Sequence, residues 1–220
     1  MSTLRIFGIP GSRAARVLWC ANELGIEFEN VAINFADQTS KTPKYLKINP
    51  MGKVPAIEDG GFHMTESLAI NCYLAQRYDG VHKLWPGTTQ GAAKVLQWTL
   101  WVATECERPF VTVLRHRAFF PPERRDPRLA DEAEAELQLP FKVLNEALAE
   151  TGYLVGASFT LADLNVASVL AWAVSHGNID LAPFPHFAAW HAACLDRPAY
   201  KRVPPRAVSP AAPAKGLSRP

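Results

Sequence analysis

Two short stretches hold residues whose types and spacing suit them to chemistry. In the first, Ser12 follows the Gly-rich turn Gly8-Ile9-Pro10-Gly11 at the mouth of a helical pattern, with Arg13 directly behind it and Arg16 four residues on. Ser is among the best N-cap residues, and capping alone accounts for it there. The same geometry, a hydroxyl beside free N–H groups at a helix start, also stabilises a thiolate. The second stretch runs from Asn49 to Ser67, NPMGKVPAIEDGGFHMTES, and centres on Val54-Pro55. Pro cannot donate to a ladder, so Pro55 predicts a turn or bulge at the strand start. A cis Val54-Pro55 bond is accessible there and turns the Val54 N–H and C=O outward, where an extended peptide can pair with them. Glu66-Ser67 then opens a helical pattern carried by Leu68, Ile70, Tyr73 and Leu74, with Ser67 placed as N-cap. Exposed N–H groups at such a start can hold an anion.

The elements that position these residues follow from periodicity. Leu4 to Phe7 is a short strand, ended by Gly8, Pro10 and Gly11. From Ser12, Val17, Leu18, Ala21 and Leu24 share a helical face, and Gly25 stands where a C′ residue belongs. Phe28 to Asn34 alternates through Val31 and Ile33 as a second strand. Val54 to Ile57, the turn Asp59-Gly60-Gly61 and Phe62 to Thr65 form a hairpin ahead of the Ser67 helix. The order βαβ then ββα predicts a thioredoxin-like α/β domain over residues 1–79.

Residues 80–91, with Gly80, Pro86, Gly87, Thr88 and Thr89, form a linker. An all-α domain follows over 92–202. Val95, Trp98, Val102 and Cys106 make one buried stripe, with Pro109 bending or breaking the helix. Phe119 to Pro122 is a break. Asp126-Pro127 is an N-cap and N1 pair for a helix buried through Leu137, Phe141, Leu144 and Leu148, with Pro140 inside it. Thr160 to Asp163 is a capping box flanked by the staple Phe159 and Leu164, opening a helix that runs to about Ser175. A last helix starts near Pro185 with Phe187, Trp190 and Leu195 inside. Residues 203–220, rich in Pro, form a tail with no apolar period.

Composition narrows the function classes. A chain of 220 residues that is 48% hydrophobic, with six Trp, can bury a sizeable core. No apolar run approaches the roughly 20 residues of a membrane span, and no signal peptide precedes the first strand, so the expected location is the cytoplasm with no membrane partner. Net charge is +2, yet the last twenty residues hold five cations and no acid, which leaves −3 on the other 200. That is no basic face for nucleic acid. Cys20, Cys72, Cys106 and Cys194 are widely spaced, as reduced thiols are, and neither they nor the six His residues form a metal signature.

Taken together, Asn49-Pro50-x-Gly52-Lys53-Val54-Pro55, the hairpin and Glu66-Ser67-x-Ala69-Ile70 resemble the glutathione-binding core of the glutathione transferase superfamily. The capping box at Thr160 is very similar to the one that opens the central helix of that family's second domain, where its role is folding. Pro10-Gly11-Ser12 with Arg16 resembles the active-site turn of the serine-type theta, delta and phi transferases. The resemblance implies a glutathione transferase fold, glutathione as co-substrate without a metal, a homodimer, and a Ser12 that is catalytic and binds glutathione. It further implies that Lys41 and Lys53 meet the glycine carboxylate, that Val54 pairs with the cysteinyl backbone, and that Glu66 and Ser67 receive the γ-glutamyl end. Ser40, which stands where those relatives often carry His, is counted among the glutathione-binding residues as well. Arg13 replaces a small or neutral residue, and either adds to thiolate stabilisation or faces solvent. The electrophile, small and hydrophobic, is expected between the domains, against Arg13 and a helix bearing Trp101, Glu105 and Arg108. Lowering a thiol pKa by about two units needs roughly 2.7 kcal/mol, which one charge-assisted hydrogen bond and a helix terminus largely supply.

Rival readings on the same fold are a glutathione-dependent thiol oxidoreductase or peroxidase, a zeta-type maleylacetoacetate isomerase, and a binding protein without turnover. The oxidoreductase needs a Cys near Ser12, and the nearest is Cys20, two turns along the helix. The isomerase's Ser-rich turn is reduced here to one Ser.

Overall fold

The computed structural model describes residues 3–79 and 83–204. The expected Pro-rich tail lies outside the described residues beyond Pro204, as does Gly80 of the expected linker. Four short strands form one mixed sheet in the order β2-β1-β3-β4. β1 (Leu4–Phe7) runs parallel to β2 (Phe28–Val31) and antiparallel to β3 (Ala56–Asp59), which pairs antiparallel with β4 (Phe62–Thr65). Between β3 and β4, Gly60 and Gly61 take φ of 59° and 86°, the left-handed values that a two-residue hairpin loop requires.

Side-chain alternation divides the sheet's contacts between two faces. Leu4, Ile6 and Ile57 join the main core with α1 (Ala14–Glu23), whereas Phe7 and Ala56 point the other way onto Tyr45 of the one-turn α2 (Pro43–Leu46). α3 (Ser67–Tyr78) packs beside α1 on the first face and buries Ile70, Leu74 and Ala75. β2 ends at Val31 rather than reaching Asn34. Its continuation is taken up by local bonds, with Thr39 Oγ1 both accepting from Asn34 N and donating to Asn34 O.

The remainder is helical. α4 (Thr89–Trp101) starts inside the stretch read as linker, because Thr88 caps it by accepting from Gly91 N. It passes into a π-helical segment, Val102–Cys106, then α5 (Glu107–Leu114) and a second π-helical segment, Arg115–Phe119. The expected interruption near Pro109 thus falls just before the Pro, as a widened turn rather than a break. α6 (Pro127–Thr151) is capped by Asp126, carries Pro140 inside it, and ends at Gly152 with φ 72°. α7 (Leu161–His176), α8 (Pro185–Asp196) and the one-turn α9 (Pro198–Lys201) complete the described chain.

α7 is the axis of this half, and polar groups fix its start. Asp163 accepts from Thr160 N and Thr160 Oγ1 through one oxygen, and from Leu154 N and Trp190 Nε1 through the other. The Thr160 hydroxyl accepts from Ala162 N, so the capping box forms with Asp in the place of Glu. Phe159 and Leu164 are both in the core. The four cysteines are free thiols, and burial pushes Cys106 up to about 12 and Cys72 up to about 11.

His191 on α8 is 3% exposed among Phe187 and Trp190, and its Nε2 has no hydrogen-bond partner among the described residues. Burial pushes its imidazole down to about 4 from the ordinary 6.5, against a smaller pull from the Ala167 backbone. Because the folded value is depressed, His191's contribution to stability is fully present above pH 6.5 and is lost as pH falls through 4. By pH 4 the loss amounts to about 3 kcal/mol. Urea unfolding at pH 7 and pH 4 checks this: His191→Leu should narrow the gap between the two, and an unchanged gap refutes the assignment.

Candidate active site

Three elements converge where Gly8 follows β1. Its φ is +139°, and a Cβ there would lie 2.6 Å from Ala14 Cβ, 3.3 Å from Val54 Cβ and 3.5 Å from Ser12 Oγ. Only a residue without a side chain lets the start of α1 and the loop before β3 approach this closely. Ser12 is 5% exposed; its Oγ accepts from Ala14 N at 3.1 Å and donates to Ile9 O at 2.7 Å. Arg13, not Ser12, is the formal N-cap of α1, so the Ser12 hydroxyl caps from one residue further out. Its single proton is held by a carbonyl and is delivered to another acceptor only by turning away from Ile9.

The Val54-Pro55 bond is cis. Tyr45 Oη and Asn49 Nδ2 both donate to Lys53 O, at 2.6 and 2.7 Å, and fix the loop just before Val54. No turn or loop hydrogen bond among the described residues uses the Val54 N–H or C=O. Lys41 and Lys53 are exposed on either side of this loop, and Lys41 Nζ donates to Met51 O across Gly52. A Cβ on Gly52, whose φ is +58°, would meet that Nζ at 2.6 Å. Ser40 is different: it is 1% exposed and its hydroxyl is sealed, without a partner among the described residues.

Glu66 precedes α3 at φ 68°, ψ 105°, outside the usual regions for a residue with a side chain. Such an outlier persists where surrounding structure over-determines it, and it clusters at binding sites. Glu66, not Ser67, is the N-cap, and no side chain caps the helix. A Ser67 N-cap would have filled one of the first N–H groups with its own hydroxyl. With Ser67 at the first helical position, the leading N–H groups stay available to a carboxylate and the hydroxyl is turned inward, where it accepts from Arg16 Nη1 at 3.3 Å.

Arg16 is 8% exposed, and Glu107 at the start of α5 supplies its counter-charge. Glu107 Oε1 accepts from Arg16 Nη2 at 2.9 Å and from Arg13 Nε at 2.6 Å. Burial lowers the Arg16 pKa, with Glu107 opposing the drop. Burial by itself would raise the Glu107 carboxyl, yet Arg16 and Arg13 together hold it below the ordinary 4.5. Beneath this cluster, Asn71 Nδ2 donates to Arg16 O and to Asn165 Oδ1, and Asn165 donates to Thr99, tying α3, α7 and α4 together out of water.

Ser12, Arg13 and Arg16 also line a cleft of about 270 Å³ whose far wall is Ser168 and Trp172 of α7, with Tyr200. Trp101, Glu105 and Arg108 do not line it. Trp101 packs edge-on against Trp98 at 5.0 Å, Glu105 is exposed and accepts from Thr104, and Arg108 is exposed. The π-helical segment changes the phase of the helix between Trp101 and Arg108, so an even α-helical count overlooks Glu107. Pro109 is the one local signal, since it offers no N–H to the carbonyl four residues back. Trp172 and Tyr200 carry no sequence motif; only the packing of α7 and α9 against α1 brings them here.

A mixed sheet with a Ser turn, a cis-Pro loop and an uncapped helix start at its rim, followed by a helical domain, defines a thioredoxin-like fold with a helical second domain. Comparison with known proteins narrows the class. The Glutathione S-transferase N-terminal domain family matches residues 2–76, and its C-terminal domain family matches residues 108–198. Glutathione S-transferase 3 of Zea mays is 32% identical over 211 residues, covering 92% of this chain and 94% of its own. Glutathione S-transferase theta-1 of Mus musculus is 31% identical, covering 81% and 75%. The theta class transferase of Xanthomonas axonopodis pv. citri, solved with glutathione bound, superposes with a TM-score of 0.84 at 30% identity, covering 92% of this chain and 97% of its own. The chain belongs to the glutathione S-transferase family.

The Glu107 cluster sets an acid limit on stability. Since its folded carboxyl value is depressed, Glu107's contribution is complete above pH 4.5 and is lost as pH falls through the lowered value. The difference in unfolding free energy between wild type and Glu107→Gln should therefore shrink from about pH 5 to about pH 3. A difference independent of pH there would show that the carboxylate is not paired as described.

Proposed function

We propose that this chain conjugates glutathione to small hydrophobic electrophiles, with Ser12 stabilising the thiolate. The observation that carries the reading is the uncapped start of α3 at Glu66-Ser67, joined through Arg16 to the helix that Ser12 opens. In this reading the γ-glutamyl carboxylate takes the free N–H groups of α3 and the Glu66 carboxylate takes the ammonium. The cysteinyl backbone pairs with Val54, and the glycine carboxylate lies near Lys41 and Lys53. Ser40 supports the loop from beneath rather than touching the ligand. The Ser12 proton leaves Ile9 O for the sulfur, and the thiol proton goes to solvent. The thiolate then forms the S–C bond as the leaving group departs, or as a conjugated acceptor takes the electron pair and a proton.

The cleft between α1 and α7 takes the electrophile in place of the Trp101, Glu105 and Arg108 face. Its wall of Trp19, Ala171, Trp172 and Tyr200 suits a flat apolar molecule. We assign residues 1–79 and 92–202 to the two domains, and a cytoplasmic homodimer to the assembly, by analogy with the family. Exposed apolar side chains at Met51, Phe62, Leu96 and Leu100 are consistent with a partner subunit. A thiol oxidoreductase is disfavoured by Cys20, which is fully buried and whose thiol pKa burial drives well above the usual value. A conformation in which Ile9 O keeps the Ser12 proton is what a binding protein without turnover would retain.

Two measurements test this reading. Ultraviolet titration of bound glutathione should give a thiol pKa well below that of the free tripeptide, and Ser12→Ala should raise it by about two units. Glutathione that binds with an unmoved pKa in both proteins leaves the binding-protein reading in force. Separately, Ser168→Phe narrows the cleft and should raise KM for an aromatic electrophile about tenfold while leaving glutathione affinity alone, whereas Arg108→Ala should change neither. The reverse pattern returns the electrophile to the Arg108 face.

A further inference from the structure

Glu107, a carboxylate from the helical part of the chain, reaches both Arg13 and Arg16 at the start of α1. Glu107 is the first residue of α5, immediately after the π-helical turn Val102–Cys106, and that turn sets the phase at which it leaves the helix. Its Oε1 holds Arg13 beside Ser12 and holds Arg16, whose second nitrogen donates to Ser67 Oγ. Arg16 is buried, and among the described residues Glu107 is its only anionic partner. Resting on the reading of Glu66 and Ser67 as the γ-glutamyl seat, we infer that Glu107 is a positioning residue for glutathione, acting through Arg16 on Ser67.

A guanidinium donates and cannot accept, so the Ser67 hydroxyl, accepting from Arg16, must aim its own proton elsewhere. The free N–H groups of α3 and that proton then present a single set of donors to a carboxylate. Without the Glu107 charge, the buried guanidinium has no reason to keep this orientation and is drawn toward water or another oxygen. The Ser67 hydroxyl then loses its orienting donor. The Ser12 hydroxyl itself makes no bond to Arg16, Ser67 or Glu107: it donates to Ile9 O and accepts from Ala14 N.

Glu107→Ala risks the fold, so the test uses Glu107→Gln and Glu107→Asp in the full chain, with circular dichroism confirming native helicity. Glutathione affinity, by calorimetry, should weaken about tenfold in Glu107→Gln and recover at least in part in Glu107→Asp, while kcat at saturating glutathione stays within about twofold of wild type. In a Ser67→Ala background the same Glu107→Gln change should cost less than about twofold, because the route to the ligand is already cut. Unmoved affinity in Glu107→Gln, or an equal loss with and without Ser67, overturns the inference. Wild-type protein that fails to bind glutathione at all defeats the underlying reading instead, so the two failures are told apart.

Discussion

A guanidinium cannot be left alone in a protein interior, and the junction of this fold is built around that constraint. Arg16 projects from α1 into space enclosed by α3, α5 and α7, where an unpaired charge is prohibitively costly. The requirement for a counter-charge brings α5 to α1. The requirement for polar partners around it selects Ser67 on one side and, through the Arg16 carbonyl, Asn71 on the other. Asn71 in turn engages Asn165, and Asn165 engages Thr99. Helices from both domains are thus fixed by directional bonds in a region that apolar packing alone would leave free to slide. The Ser12 turn is simply the outer end of the same helix.

Much of this architecture was legible in the residues, for reasons that differ from element to element. β1, the hairpin turn at Gly60-Gly61 and the Asp126-Pro127 cap are local affairs, in which a few residues with restricted conformations decide the outcome. The start of α7 was equally readable because Thr160 and Asp163 answer each other within one turn. The end of β2 was not: its alternation continues to Asn34, but competition from the Thr39 hydroxyl for that backbone ends it early. Ser67 was displaced by one position from N-cap to first helical residue, since an unusual Glu66 backbone carries no mark in composition.

The site divided along a similar line. Ser12, Val54, Glu66 and Ser67 belong to short sequence patterns, and the fold gathers their elements around Gly8 and Arg16. The far wall belongs to no pattern. Trp172 and Tyr200 reach the cleft through the packing of helices far apart in sequence, and Glu107 through a π-helical turn that an even 3.6-residue count passes over. Residues set by local backbone patterns were therefore easier to find than residues brought together by tertiary contact. Ser40 shows the converse: a residue expected at the ligand whose side chain is buried, with its hydroxyl unpartnered among the described residues.

The passage between the two domains is pinned in a way that bears on how such chains diversify. The Asp79 carboxylate accepts from both Leu84 N and Trp85 N, while Leu84 O accepts from Leu161 N at the head of α7. Leu84 is therefore bonded to the last turn of one domain and the first turn of the other's central helix, and its side chain is 2% exposed. Leu84, Trp85 and Leu161 contribute only backbone groups to these bonds, so the one side chain whose polar atoms hold the junction is Asp79. A crossover that joins the first domain of one relative to the second of another therefore keeps this junction as long as a short acceptor side chain stands at the end of α3 and an apolar residue fills the place of Leu84.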